Sequence, residues 1–353
     1  MNVLYFEDKE IDLLINAINK YQIIFHPIFA PNGKFSNESI LKIQEPENEI
    51  VIIADKNIIS PICEIAKNGT LKDEERFLKT AIFVTFIKFI NASITCGLGL
   101  MEDESSKLAT ITGEESRQLF LHAIEKIPSM IWKQIAFGEI DMIPNEFLYK
   151  GSPTIEHSYD YSNGLLLLYN EAAMIKIVEI NNNKGLSKIQ KFDRFMRWYA
   201  DNLDIAESVM LYAAMVFANV DYVAKPKHST SMDYDKVVKG IKNQAWDITY
   251  ITAWSTQYYY ESDGNYIMFA TDDLTQKSIV VNIIPRGEIE KALLSIFITK
   301  SEQNALEKLY EEKFGSARKR PFIGKTNIEI KSIVSKLINE EYKDLKSNLN
   351  KNQ

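Results

Sequence analysis

The chain has 353 residues, 46% of them apolar and 25% charged, which suits one large domain or two ordinary ones with a sizeable core. A net charge of −7 argues against a generally basic coat for nucleic acid, though it leaves room for a local basic groove. Two cysteines without a CxxC, and four scattered histidines without an HxxxH pair, argue against a disulfide framework and a zinc site, and fit a reducing cytoplasm.

The first residues, Met1 to Asp8, carry no basic stretch followed by an apolar run and do not read as a signal peptide. Asp8 reads as the cap of a first helix, with Ile11, Leu14, Ile15 and Ile18 on one stripe. Pro27, Pro31 and Asn32-Gly33 then predict loops. An apolar run, Ile50-Val51-Ile52-Ile53-Ala54, reads as a buried strand stopping on Asp55. A helix from about Ile58 should end near Asn68-Gly69, and another runs from about Asp73 to Ala92. Residues 93–101 are apolar and lead into Glu102-Asp103-Glu104.

The middle of the chain reads as helical, with candidate helices at 114–126, 161–181, 187–200 and 203–219. A long helix from about Asp233 to Tyr259 leads to a strand at 266–270, which stops on Thr271-Asp272-Asp273. A short helix, a candidate strand at 279–284 and a helical tail from about 286 complete the chain. The apolar stretches at 78–101 and 205–218 contain charges and read as buried helices rather than membrane spans.

Strands alternating with helices predict an α/β core, here a parallel sheet with a large, mostly helical insertion and a helical C-terminal extension. The expected divisions are an N-terminal helix and loops (1–48), a core in two pieces (49–112 and 240–285), an insertion (113–239) and an extension (286–353). Ligands gather at the carboxyl ends of parallel strands. Several acids delivered to one sheet edge repel one another and call for a cation. Each acid also has an ordinary reading: Asp55 as a helix cap, Asp247 as one partner of an ion pair, Asp272-Asp273 as a turn, and Glu102 as part of a solvated acidic run.

Taken together, the pattern resembles the PIN-domain-like nucleases. In that family a first strand ends in Asp, as in Ile52-Ile53-Ala54-Asp55-Lys56-Asn57, and a Glu follows two helices later, which Glu102 matches best. A late helix opens with an Asp, as in Trp246-Asp247-Ile248-Thr249, and the next strand ends in a Thr/Asp motif, as in Ala270-Thr271-Asp272-Asp273. The matching segments, about 50–110 and 240–285, make up under a third of the chain. The resemblance implies a PIN-like core in which Asp55, Glu102, Asp247 and Asp272 or Asp273 hold Mg²⁺ or Mn²⁺. It also implies hydrolysis of phosphodiesters, RNA more than DNA, and a toxin or defence role held silent or triggered by a protein partner. A local basic segment, 313–325, with Lys313, Arg318, Lys319, Arg320 and Lys325 and no acid, reads either as a solvated loop or as a contact for the nucleic-acid backbone.

Rival readings are weaker on particular residues. A haloacid dehalogenase-like phosphatase wants a second Asp where Asn57 stands, and a topoisomerase-primase site wants Asp-x-Asp where the acids are adjacent. A rival of another kind is a non-enzymatic interaction protein or a subunit of a larger assembly, built on a degenerate nuclease core. The expected compartment is the cytoplasm, without membrane association.

Overall fold

The computed structural model describes residues 5–105, 112–151, 164–258, 260–262, 264–282, 289–314 and 320–351. It is α/β and mostly helical, with one four-stranded mixed sheet. The chain divides into two compact units, Met1–Ser162 with Thr256–Asp273, and Asn163–Ser255 with Leu274–Gln353.

The first unit contains the helices α1 (Asp8–Tyr21), α2 (Asn37–Ile43), α3 (Lys56–Asn68), α4 (Glu74–Phe89), α5 (Gly97–Ser105), α6 (Thr112–Leu121) and α7 (Ser129–Ala136). Its strands are β1 (Ile24–Phe25), β2 (Glu49–Ala54), β3 (Ser93–Thr95) and β4 (Asn265–Ala270), in the spatial order β1-β4-β2-β3. β2 is parallel to β3 and to β4, whereas β1 is antiparallel to β4. The sheet is therefore mixed rather than purely parallel. The two-residue β1 breaks the expected parallel pattern by pairing antiparallel with β4 at the sheet edge.

β2 carries β-branched residues in succession, and Ile50, Ile52, Ile53 and Ala54 are buried, the pattern of a strand covered on both faces. Ile50, Ile52 and Ala54 join Leu14, Ile18, Phe83, Phe86, Trp132 and Met268 in one apolar core. α3 ends as expected at Gly69, whose φ of +81° is the left-handed conformation that glycine accepts at a helix end. α4 begins at its expected cap, where Asp73 Oδ1 accepts from Arg76 N at 3.0 Å. Behind the sheet, buried His26 accepts from the Ile28 and Phe29 amides at Nδ1, each at 3.2 Å. That fixes the proton on Nε2, which donates to Glu261 Oε1 at 3.1 Å. His26 is thus a satisfied core group that pins β1 to the segment leading into β4.

The second unit is helical: α8 (Leu165–Asn181), α9 (Lys188–Asn202), α10 (Glu207–Phe217), α11 (Tyr234–Tyr258, whose last turn belongs to the first unit), α12 (Leu274–Val280), α13 (Ile289–Ile296), α14 (Lys300–Phe314) and α15 (Asn327–Lys351). The strand expected at 279–284 is not formed. Residues 279 and 280 finish α12, 281 and 282 form a turn, and 283–284 lie outside the described residues. Ser278 Oγ donating to Leu274 O and Val281 N donating to Lys277 O keep this segment helical.

α15 lies along α8. Its buried Glu341 accepts from Lys176 Nζ at 2.8 Å and from Trp198 Nε1 at 2.9 Å, and Tyr342 donates to Glu171 at 2.8 Å. Glu171, an acid inside the apolar α8, is thereby a helix-packing partner. Replacing Glu341 by Ala takes this acceptor from the half-buried Trp198 Nε1 and leaves Lys176 with Glu179 alone, so Glu341→Ala is expected to cost about 2 kcal/mol, read as a fall in the urea midpoint of unfolding. Among the described residues no helix is long and apolar enough to cross a membrane.

Candidate carboxylate site

The register of β2 on β4 decides the geometry. Ala54 pairs with Ala270, so the two parallel strands end level and their next residues, Asp55 and Thr271, emerge side by side. The backbone confirms the alignment: Asp55 N donates to Ala270 O at 3.0 Å, and Thr271 N donates to Ile23 O at 2.9 Å.

Asp55 is 1% exposed and accepts three hydrogen bonds. Its Oδ1 caps α3 by accepting from Ile58 N at 3.1 Å. Its Oδ2 accepts from the Thr271 hydroxyl at 2.6 Å and from Asn57 Nδ2 at 3.3 Å. Thr271 Oγ1 in turn accepts from Asp273 N at 3.0 Å, which fixes the turn after β4. Burial pushes the Asp55 carboxyl up to about 7. The three hydrogen bonds work against that rise, and the charge of nearby Asp273 adds to it. The cap reading of Asp55 holds, and the Thr271 hydroxyl adds a partner from the end of β4.

The other expected acids are placed differently. Asp272 is half-buried and ion-paired with Lys79 of α4. Glu102, on α5, stands 3.7 Å from Lys56, the residue after Asp55. Asp247 does not open a helix. It lies in the middle of α11, in the second unit, and takes a hydrogen bond of 3.4 Å from Gln276 Nε2. The helix begins back at Tyr234 because Asp233 Oδ1 caps it by accepting from Lys236 N at 3.2 Å, leaving no break before Trp246. Ile251 and Trp254, four and seven residues further along the same helix face, are fully buried, and Asp247 is half-buried.

Among the described residues, no group of three or more His, Cys, Asp or Glu side chains gathers closely enough to hold a metal ion. Asp55 and Asp273 share the edge, but Lys79 and Lys56 engage Asp272 and Glu102. As arranged, the donor set does not fit a Mg²⁺ or Mn²⁺ ion, which wants several oxygens at once.

In the basic segment, Arg318 and Lys319 lie outside the described residues. Arg320 and Lys325 are exposed, and Lys313 at the start of the segment pairs with Asp201 at 2.7 Å. Sequence reasoning missed Arg76 and Lys79, which line a cleft with Asn57 and Asp272. The only signal for them is their spacing of three on α4, ordinary for a solvated helix face. Comparison with protein-family models, with curated proteins and with solved structures found no match.

Proposed function

We propose that this sheet edge is the working centre of a phosphodiester hydrolase, a nuclease acting on RNA in preference to DNA, with Asp55 and Asp273 as its central acids. One observation carries the reading: two parallel strands distant in sequence end level, and the Asp of one is bonded to the Thr of the Thr/Asp motif of the other. Ligand sites in open parallel sheets form at such carboxyl ends. The resemblance sets the substrate class and the requirement for Mg²⁺ or Mn²⁺. Because the acids as arranged do not surround a cation, no catalytic step is routed through one here.

A specific observation also favours the second reading, a non-enzymatic interaction protein. Lys79 and Lys56 engage Asp272 and Glu102, as a retired site would have them. The deciding experiment is cleavage of mixed single-stranded RNA and DNA with Mn²⁺ or Mg²⁺ by the parent, Asp273→Asn and Asp55→Asn. The hydrolase reading expects metal-dependent cleavage that falls at least a hundredfold in both variants, in line with the loss of a principal catalytic group. A parent that neither cuts nor gains thermal stability with metal belongs to the second reading.

A further inference from the structure

An acidic chain that handles a polyanion needs a local positive site, since phosphate neutralisation dominates nucleic-acid affinity. The cleft between α3 and α4 has that character. Arg76 and Lys79 stand on one face of α4, three residues apart. Ile23, Ile58, Pro61 and Phe83 give the cleft apolar walls. Among the described residues no carboxylate pairs with the Arg76 guanidinium. Lys79 is held by Asp272, which is itself about a third exposed. Asn57 and Asp272, both in the cleft lining, are also the neighbours of Asp55 and Thr271, so the cleft opens beside the carboxylate edge.

We propose that this cleft is a phosphate subsite, in which Arg76 and Lys79 grip one phosphate group of the substrate next to the carboxylate edge. The inference rests on the hydrolase reading for its substrate, though its binding chemistry stands alone. Arginine offers a planar fork that matches two phosphate oxygens, and lysine adds a compact charge. Apolar walls lower the local dielectric and strengthen both contacts. A phosphate entering here competes with Asp272 for Lys79. The same phosphate chemistry is carried by a nucleic-acid backbone and by a free nucleotide.

The test is direct binding to the full chain in the presence of chelator, which removes cleavage from the measurement. Inorganic phosphate, a nucleoside monophosphate and a labelled single-stranded oligoribonucleotide are titrated into the parent, Arg76→Ala and Lys79→Ala, each checked for an unchanged melting curve. The expected result is at least tenfold weaker binding of phosphate and oligonucleotide in Arg76→Ala. The slope of log affinity against log salt should also become shallower by about 0.7, one single-strand phosphate contact. Phosphate and nucleotide binding without oligonucleotide binding supports the subsite and assigns it to a free nucleotide. A parent that binds none of the three probes, or an Arg76→Ala chain that binds them like the parent, overturns the subsite. Arg76-dependent binding by a parent that cleaves nothing supports the subsite and removes only the hydrolase reading, so the two fail separately.

Discussion

Asp55→Asn should be more stable than the parent at pH 8, and the advantage should vanish as the pH falls towards 4. The carboxyl is buried, and its folded-state pKa is raised from 3.8 to about 7. Below the lower value it is protonated in both folded and unfolded chains and contributes no difference. Between the two values the unfolded chain gives up its proton while the folded chain keeps it, so stability falls by about 1.4 kcal/mol per pH unit. Above about 7 both forms are ionised and the folded state carries the whole penalty, about 4 kcal/mol from the span of the shift. Asn caps a helix nearly as well as Asp and needs no desolvation of charge. It still accepts from Ile58 N, but its amide nitrogen faces Thr271 and Asn57, which offsets part of the gain. A net advantage of about 1–3 kcal/mol at pH 8 is expected, measured by urea unfolding of both proteins across pH 4–8. A parent–variant difference that stays flat with pH would mean that the Asp55 carboxyl titrates like an exposed one. On the proposed hydrolase reading the same variant also loses cleavage, so a gain in stability and a loss of activity would appear together.

Gly240→Ala should lower stability by about 3 kcal/mol, as overpacking does, although Ala normally improves a helix interior by about 1 kcal/mol over Gly. Gly240 is buried on α11, and a Cβ there would overlap the backbone carbonyl oxygen of Lys227. That oxygen cannot swing aside as a side-chain tip would. The turn at 226–231 is held by Ser229 N donating to Pro226 O, Ser231 N to His228 O, and Asn182 Nδ2 to Ser229 O. His228 within it already has a φ of +59°. Lys239→Ala, one residue away and exposed, serves as the control and should stay within about 0.5 kcal/mol. A neutral or stabilising Gly240→Ala in urea unfolding would sink the argument that the turn presses on the helix.

Much of the fold's local order can be read from the chain. The stripe of Leu14, Ile15 and Ile18, the run Ile50 to Ala54, the Asn68-Gly69 stop and the long helix before Tyr266 to Ala270 all form as their periodicity and punctuation predict. These signals are local, being set by strand alternation, helix period and backbone conformations that few residues tolerate. The short β1 gave no such signal. Two residues carry no period, and Ile24 and Phe25 are strand only because β4 offers them partners. The segment at 279–284 erred the other way. Its β-branched residues suit a strand, but Ile279 and Val280 finish α12 and Val281 N still donates back to Lys277 O.

The site divides along the same line. The sequence by itself determined that Asp55 ends a strand and caps a helix, and that a Thr-Asp-Asp turn follows a second strand. Both are consequences of short-range chemistry. Only the tertiary structure decided that these strands are neighbours in level register, that the Thr271 hydroxyl lies against Asp55, and that Lys79 and Lys56 stand against Asp272 and Glu102. Pairings across 216 residues, such as Thr271 with Asp55, depend on how strands and helices pack, and no local pattern encodes that distance.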